Sequence, residues 1–365
     1  MEKLSDLPDV TRLSSRVIRI LGQNPGKFTL QGTNTYLIGA RPPFILIDTG
    51  EGRPEYPVIL KNILLENFNS EDSKPLQLVM DVIITHRHAD HFGGLPDVLS
   101  TLKDIHDPTI TSPYIPPRIH IYPSAEQSSR PRKIAEDAIE HLQSEFEEVV
   151  SNLPEGSFTP GPDGRPVHSL ADNQILQGTG TELTILHTPG HTADSICLLL
   201  SDPACRTETK VLLSADTVLG QGTAVFTDLA AYISSLRHLL SLNPLNSASK
   251  YTFSEIYPGH GPVVPDGPAL ISQYIAHRLE REAQIVEVLS SPSPTPANPP
   301  QWTIWSIVKV LYKDYPENLW LAASQGVGLH LRKLESDGRA RLLGGQGVDE
   351  LWSLNPNSTT EESRL

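Results

Sequence analysis

A chain of 365 residues exceeds what one hydrophobic core ordinarily supports, so a large domain with a smaller companion is expected. Hydrophobic residues make up 38%, and no stretch approaches the roughly 18 to 20 apolar residues that a membrane helix needs, which excludes a helical membrane protein. A net charge of −14 argues against phosphate-backbone binding as the main source of affinity, because that binding depends on clustered Lys and Arg.

Residues 1–16 set Glu2, Asp6 and Asp9 against Lys3, Arg12 and Arg16 with no apolar run, the pattern of neither a secretory signal nor an Arg-rich transit peptide. Two cysteines, Cys197 and Cys205, are too few for a disulfide framework. The expected compartment is reducing and intracellular, the cytoplasm, with the mitochondrion left open. Over residues 17–50, the alternating Arg16–Ile20, the turn Asn24-Pro25-Gly26, and the runs Thr35–Ile38 and Phe44–Asp48 predict an N-terminal hairpin. Asp48, at the end of its run, is either a carboxylate supporting a nearby loop or an ordinary turn residue.

The apolar run Val79–Ile84 reads as a buried strand and stops at His86-Arg87-His88-Ala89-Asp90-His91. Four candidate metal ligands in six residues at a strand end, imidazole and carboxylate without thiolate, suit zinc, iron or manganese rather than copper(I). A helix is predicted over 95–107 and a strand over Arg118–Tyr122, in which His120 is structural. The spacing of Ile134, Ala138, Leu142, Phe146 and Val149 predicts an amphipathic helix over Arg132–Leu153, followed by a Gly- and Pro-rich loop, 154–167.

Strands predicted at Glu182–Leu186, Ser195–Leu200, Lys210–Ser214 and Phe253–Tyr257 repeat the logic of the first half, each ending near a candidate ligand: His191, Asp216 or His260. His187 lies just upstream of His191 and is the weaker candidate. Helices are predicted over Leu229–Leu240 and Ala269–Leu289. Ser290–Pro300 cannot sustain a helix and reads as a linker. Beyond it come a helix through Ile304 and Leu311, a short one over Asn318–Ala323, another over Val327–Glu335, and a small β wing at Arg339–Gly345. Positive and negative residues nearly balance after residue 300, so a duplex-binding role is poorly supported. The organisation expected is 1–289, a linker at 290–300, a small domain at 301–354 and a disordered tail at 355–365.

The order His-x-His-x-Asp-His at 86–91, Thr-Pro-Gly-His at 188–191, Asp216, and Pro-Gly-His-Gly at 258–261 resembles the signature of the metallo-β-lactamase superfamily. That resemblance implies an α/β fold, a four-layered αβ/βα sandwich with metals at one edge. It also implies two zinc ions per chain, His86, His88 and His191 holding one, Asp90, His91 and His260 the other, and Asp216 bridging them. Two adjacent cations about 3.5 to 4 Å apart acidify a bridging water and polarise a carbonyl or phosphoryl oxygen, so hydrolysis is the expected chemistry. Asp90 is the candidate catalytic proton shuttle. Asp216 stands where antibiotic-degrading lactamases have cysteine, and His88 where di-iron oxygen reductases of this fold have a carboxylate, so neither activity is expected. With both metal shells filled, a mono-iron persulfide dioxygenase is not expected either.

Asn24–Leu37 and Leu46–Glu51 resemble a narrower β-lactamase-like group, which includes a mitochondrial single-strand endoribonuclease and fungal atrochrysone carboxyl carrier-protein thioesterases. The C-terminal part resembles that group's winged-helix-like domain, the alternative being a helical cover for the substrate mouth. Three functions follow: a thioesterase releasing an acyl or polyketide chain from an acyl carrier protein, an endoribonuclease on single-stranded RNA, or a non-catalytic binding module. Seven filled ligand positions disfavour the third, and the acidic balance tilts the choice to the first.

Overall fold

Apolar runs with no polar alternation become strands covered on both sides. The computed structural model describes residues 4–67, 77–106, 113–123, 144–202, 210–243, 253–294 and 299–355. Strands β1 (Val10–Ser14), β2 (Val17–Leu21), β3 (Asn34–Ile38), β4 (Phe44–Ile47), β5 (Val79–Ile84), β6 (Arg118–Ile121) and β7 (Val167–Ser169) form one sheet in that order. The first four pair antiparallel and β4 to β7 pair parallel. Where the sequence predicts one hairpin over 17–50, three strands form a meander, because the run before Gly39 and the run after it are both long enough to pair. A second sheet has the order β12-β11-β10-β9-β8, from β8 (Ile175–Gly178), β9 (Thr181–His187), β10 (Ile196–Ser201), β11 (Lys210–Ala215) and β12 (Phe253–Pro258). Its one parallel pair is β11 with β12.

Side chains on a strand point alternately to opposite faces, and the central strands divide themselves accordingly. Leu37, Leu46, Val82 and Ile84 face helices α1 (Glu55–Glu66) and α3 (Leu95–Ile105) and the helical residues 144–151 of α4. Tyr36, Ile38, Ile45, Ile47 and Ile83 face Leu183, Ile185, Ile196, Leu198 and Leu213 of the second sheet. Helix α1 carries no strong sequence signal and was not expected. Residues 132–143 of the predicted amphipathic helix lie outside the described residues, as do Cys205 and the tail from 356 onward. Further along come α5 (Leu229–Ser241) and α6 (Gly267–Ser290), and the start of α6 lies against Phe253 and Ile256 of β12. Among the described residues no helix is long and apolar enough to cross a membrane.

One polar network sits inside this apolar frame. Asp81 on β5 is fully buried and takes a two-pronged contact from Arg118, at 2.7 and 2.9 Å, and one from His120 Nε2 at 2.7 Å. This is the structural role expected of His120. Burial alone would raise the Asp81 carboxyl's pKa, but His120 and Arg118 outweigh it and hold the group below the usual range. Asp81→Ala should therefore cost about 1–3 kcal/mol, less than the about 3–5 kcal/mol of a fully buried pair, because Arg118 can turn to water. The stabilisation is complete above the unfolded carboxyl pKa of about 3.9 and is lost as pH falls through the lower folded value. The urea midpoints of wild type and variant should thus converge on acidification, and a constant gap from pH 7 down to pH 3 would refute the assignment.

The chain divides into two compact units, Met1–Val225 with Ser235–Ile271, and Phe226–Ser234 with Ser272–Leu365. The second contains β13 (Trp302–Thr303), α7 (Ile304–Leu311), α8 (Trp320–Ser336), β14 (Ala340–Gly344) and β15 (Leu351–Leu354). The strands pair in the order β13-β15-β14, so the expected wing exists as a β14–β15 hairpin. Thr303 caps α7 through a hydrogen bond from Ser306 N at 3.0 Å. The two short helices expected over 318–335 are one helix after a 3-10 turn at Glu317–Leu319. Gly326 and Gly328 do not break it, because Ser324, Val327, Leu331 and Leu334 keep an unbroken buried stripe against Ile304, Ile307 and Trp352. Two helices followed by a hairpin is a winged-helix arrangement.

Candidate metal centre

Four of the predicted strand ends, those of β5, β9, β11 and β12, deliver side chains to one place, whereas β10, predicted at Ser195–Leu200, runs antiparallel to β9 and β11 and contributes no ligand. The β5 strand leads into His86, His88 and the short helix α2 (Ala89–Phe92), which carries Asp90 and His91. His191 follows β9, Asp216 follows β11 and His260 follows β12. Two donor groups result: His86, His88, His191 and Asp216 in one, Asp90, His91 and His260 in the other, with donor atoms within 4.8 Å of one another in each. The Asp216 carboxylate spans them. Its Oδ1 lies 3.4 Å from His91 Nε2, and its Oδ2 lies 3.5 Å from His191 Nε2 and 3.4 Å from His260 Nε2. His187 stays outside, its ring stacked on Tyr122 and its Nε2 2.9 Å from Ala193 O.

The outer ring nitrogens are held by the protein. His91 Nδ1 meets Asp48 Oδ2 at 2.7 Å, His86 Nδ1 meets Thr85 Oγ1 at 3.1 Å, and His191 Nδ1 meets Val225 O at 2.7 Å. Asp48 also accepts from Thr85 N and Thr85 Oγ1, at 2.8 and 2.9 Å, so it supports the loop rather than serving as an ordinary turn residue. It does so in the left-handed region, φ 59°, a conformation that Asp tolerates better than most residues. Fixing the outer nitrogen selects the tautomer that turns Nε2 inward.

The residues fit a divalent metal on observations independent of any family. His86 Nε2, His88 Nδ1 and His191 Nε2 lie 2.9, 2.9 and 3.2 Å apart. A ring nitrogen either donates or accepts, so a closed triangle of three leaves at least one contact between like groups. The edges are close to the about 3.3 Å that tetrahedral ligands at about 2.0–2.1 Å would show. Among the described residues, His91 Nε2 and Asp216 Oδ1, although 3.4 Å apart, are buried and neither makes a hydrogen bond.

The electrostatics divide the same way. Burial, reinforced by its histidine neighbours, lowers the pKa of His86 well below the usual imidazole value and that of His88 to about 4. These imidazoles are neutral donors at pH 7. Burial would also lower His260 and His91, but the carboxylates prevail, Asp216 raising His260 to about 9 and Asp90 with Asp48 raising His91 well above the usual value. Burial works against ionisation of Asp90 and Asp216 too, yet the charges of His91 and His260 keep both carboxyls well below the ordinary range. His86 and His88 thus offer neutral nitrogens, while Asp90 and Asp216 supply fixed negative charge.

Some supporting residues escaped the sequence reading. Thr85 directly precedes His86, and Thr33, whose Oγ1 lies 3.0 Å from Asp90 Oδ2, and Asn24, which hydrogen-bonds Thr33, lie in the string that carries the closer resemblance, so proximity to a motif was their available signal. The Val225 carbonyl had none, since any residue supplies one.

Residues 28–260 match the Metallo-beta-lactamase superfamily, and residues 303–350 match the Beta-lactamase associated winged helix domain. The chain is 35% identical to the Beta-lactamase-like protein 2 homolog of Drosophila melanogaster, over 96% of this chain and 98% of that one. It is 32% identical to the Atrochrysone carboxyl ACP thioesterase of Aspergillus chevalieri, over 87% of this chain and 80% of that one. A Beta-lactamase domain protein from Burkholderia ambifaria shares the fold, with a TM-score of 0.62 at 16% identity, covering 96% and 95% of the two chains. With two mixed sheets meeting face to face, a His and Asp cluster at their strand ends and a winged helix after them, this chain belongs to the metallo-β-lactamase superfamily of hydrolases.

Proposed function

We propose that this hydrolase is a dinuclear zinc thioesterase that releases an acyl or polyketide chain from a carrier protein. The observation carrying this reading is the relationship to the Aspergillus chevalieri carrier-protein thioesterase, which spans the whole of the candidate site. His86, His88 and His191 would hold one cation, Asp90, His91 and His260 the other, with Asp216 between them. When bound, such a pair supplies the Lewis acidity that makes water a nucleophile near neutral pH and polarises the thioester carbonyl. Asp90, its side chain 21% exposed, has Oδ2 turned to His91 and His260, leaving Oδ1 to take the water's proton. Water oxygen bonds to the acyl carbon, the carbon–sulfur bond breaks, and Asp90 returns the proton to the departing sulfur.

The C-terminal unit favours this over a nucleic-acid substrate. Helix α8 has two cations, and both are engaged by carboxylates: Arg332 by Glu350, and Lys333 by Glu282 at 2.8 Å and Asp337 at 2.7 Å. Phosphate binding draws on cations free to replace counterions. Zinc-loaded protein should release thiol from acyl-carrier-protein and simple acyl-CoA substrates and leave single-stranded RNA oligomers intact. RNA cleavage without thiol release would overturn the thioesterase in favour of an endoribonuclease.

A further inference from the structure

Thr33 touches both sides of the second donor group without belonging to it. It is fully buried at the entrance to β3. Its Oγ1 lies 3.0 Å from Asp90 Oδ2, and its main chain forms an antiparallel bridge with His260. The preceding carbonyl, Gly32 O, lies 3.4 Å from His260 Nδ1. Asn24, also buried, reads Thr33 twice: Asn24 Oδ1 accepts from Thr33 N at 2.9 Å, and Asn24 Nδ2 donates to Thr33 Oγ1 at 3.0 Å. An amide nitrogen only donates and a carboxylate only accepts, so the Thr33 hydroxyl has one arrangement that satisfies both neighbours. It accepts from Asn24 and gives its proton to Asp90.

We infer that Thr33, oriented by Asn24, is a positioning residue that sets which oxygen of Asp90 faces the second donor group and which remains for the reaction. The inference rests on the metal-hydrolase reading above. With Oδ2 held by Thr33, 3.2 Å from His260 Nε2 and 3.4 Å from His91 Nε2, Oδ1 is the oxygen left to carry a proton. Because the same residue bridges to His260, a single buried threonine aligns a carboxylate and an imidazole that lie far apart in the chain.

The test compares full-length wild type with Thr33→Val, which keeps the shape and loses the hydroxyl, and Thr33→Ser, which keeps the hydroxyl. Zinc release is followed during titration with a chelator, alongside kcat and KM for an acyl thioester and the unfolding temperature of the metal-free proteins. Thr33→Val should loosen the more weakly held zinc by roughly 10–100-fold while leaving the tighter one in place. It should lower kcat by a similar factor with KM nearly unchanged, and Thr33→Ser should stay within about threefold of wild type in both respects. Wild-type zinc retention in Thr33→Val, equal losses in Thr33→Ser, or a wild type that binds one zinc would each overturn the inference. A loss explained by a lower unfolding temperature of metal-free Thr33→Val, absent from Thr33→Ser, is judged on the serine variant with Asn24→Ala, which should release zinc early if Thr33 has lost its orientation. Normal release there overturns the inference. Zinc release needs no substrate, so a wild type inactive on every thioester counts against the proposed activity, whereas normal zinc binding in Thr33→Val counts against Thr33 alone.

Discussion

Asp216→Asn should strip zinc from both donor groups and lower hydrolytic turnover by more than about a hundredfold, the upper range seen when a residue merely supporting a ligand is lost. The substitution keeps the shape of the side chain and removes its charge. No other carboxylate reaches both groups among the described residues: Asp216 lies within 3.5 Å of His91, His191 and His260, which come from three separate segments. Asp216 is also nearly buried, so water cannot readily replace the lost anion. Elemental analysis of the purified variant together with its turnover number checks this. Two zinc ions per chain and activity within tenfold of wild type would remove Asp216 from the centre.

The second large effect concerns space rather than charge. Gly94→Ala should destabilise the protein by more than about 3 kcal/mol, beyond the usual cost of an overpacked side chain. The backbone at Gly94 is ordinary, φ −81° and ψ 0°, so alanine is not disfavoured by conformation. A Cβ there would fall 2.2 Å from Thr49 O and 3.1 Å from Thr49 C, both main-chain atoms. Thr49 cannot retreat freely. Its N donates to His91 O at 2.8 Å, and its neighbour Asp48 holds His91 and Thr85. Relief of the clash must therefore also shift His91, and zinc affinity should fall with stability. Urea unfolding of the metal-free variant and a zinc titration measure the two parts. Unfolding within 1 kcal/mol of wild type would mean that the turn after α2 yields far more easily than two opposed backbones allow.

Where strands end, and what stands there, can be read from the residues alone. Runs such as Val79–Ile84 and Lys210–Ser214 are legible because continuous apolar and β-branched residues have few other stable outcomes. The ligand types at their ends point to a divalent metal site, and the resemblance of their order to a known superfamily implies hydrolysis. Less legible were α1, whose stripe is weakly amphipathic, and α8, where two glycines imitate a break that tertiary packing overrides.

Partnership across the chain came with folding. Residues 191, 216 and 260 follow strands that run the same way, β9 and β11 both antiparallel to β10 and β12 parallel to β11, and the packing of the two sheets brings them to residue 88 beyond the end of β5. Whether Asp48 is a turn residue or a support, and whether Thr33 matters at all, depends on hydrogen bonds to His91, Thr85 and Asp90, residues distant in sequence. A residue's type states what it can donate, accept or ligate. Its partner is selected only when the sheets close over it, since a buried polar atom must be satisfied by whatever the fold places beside it.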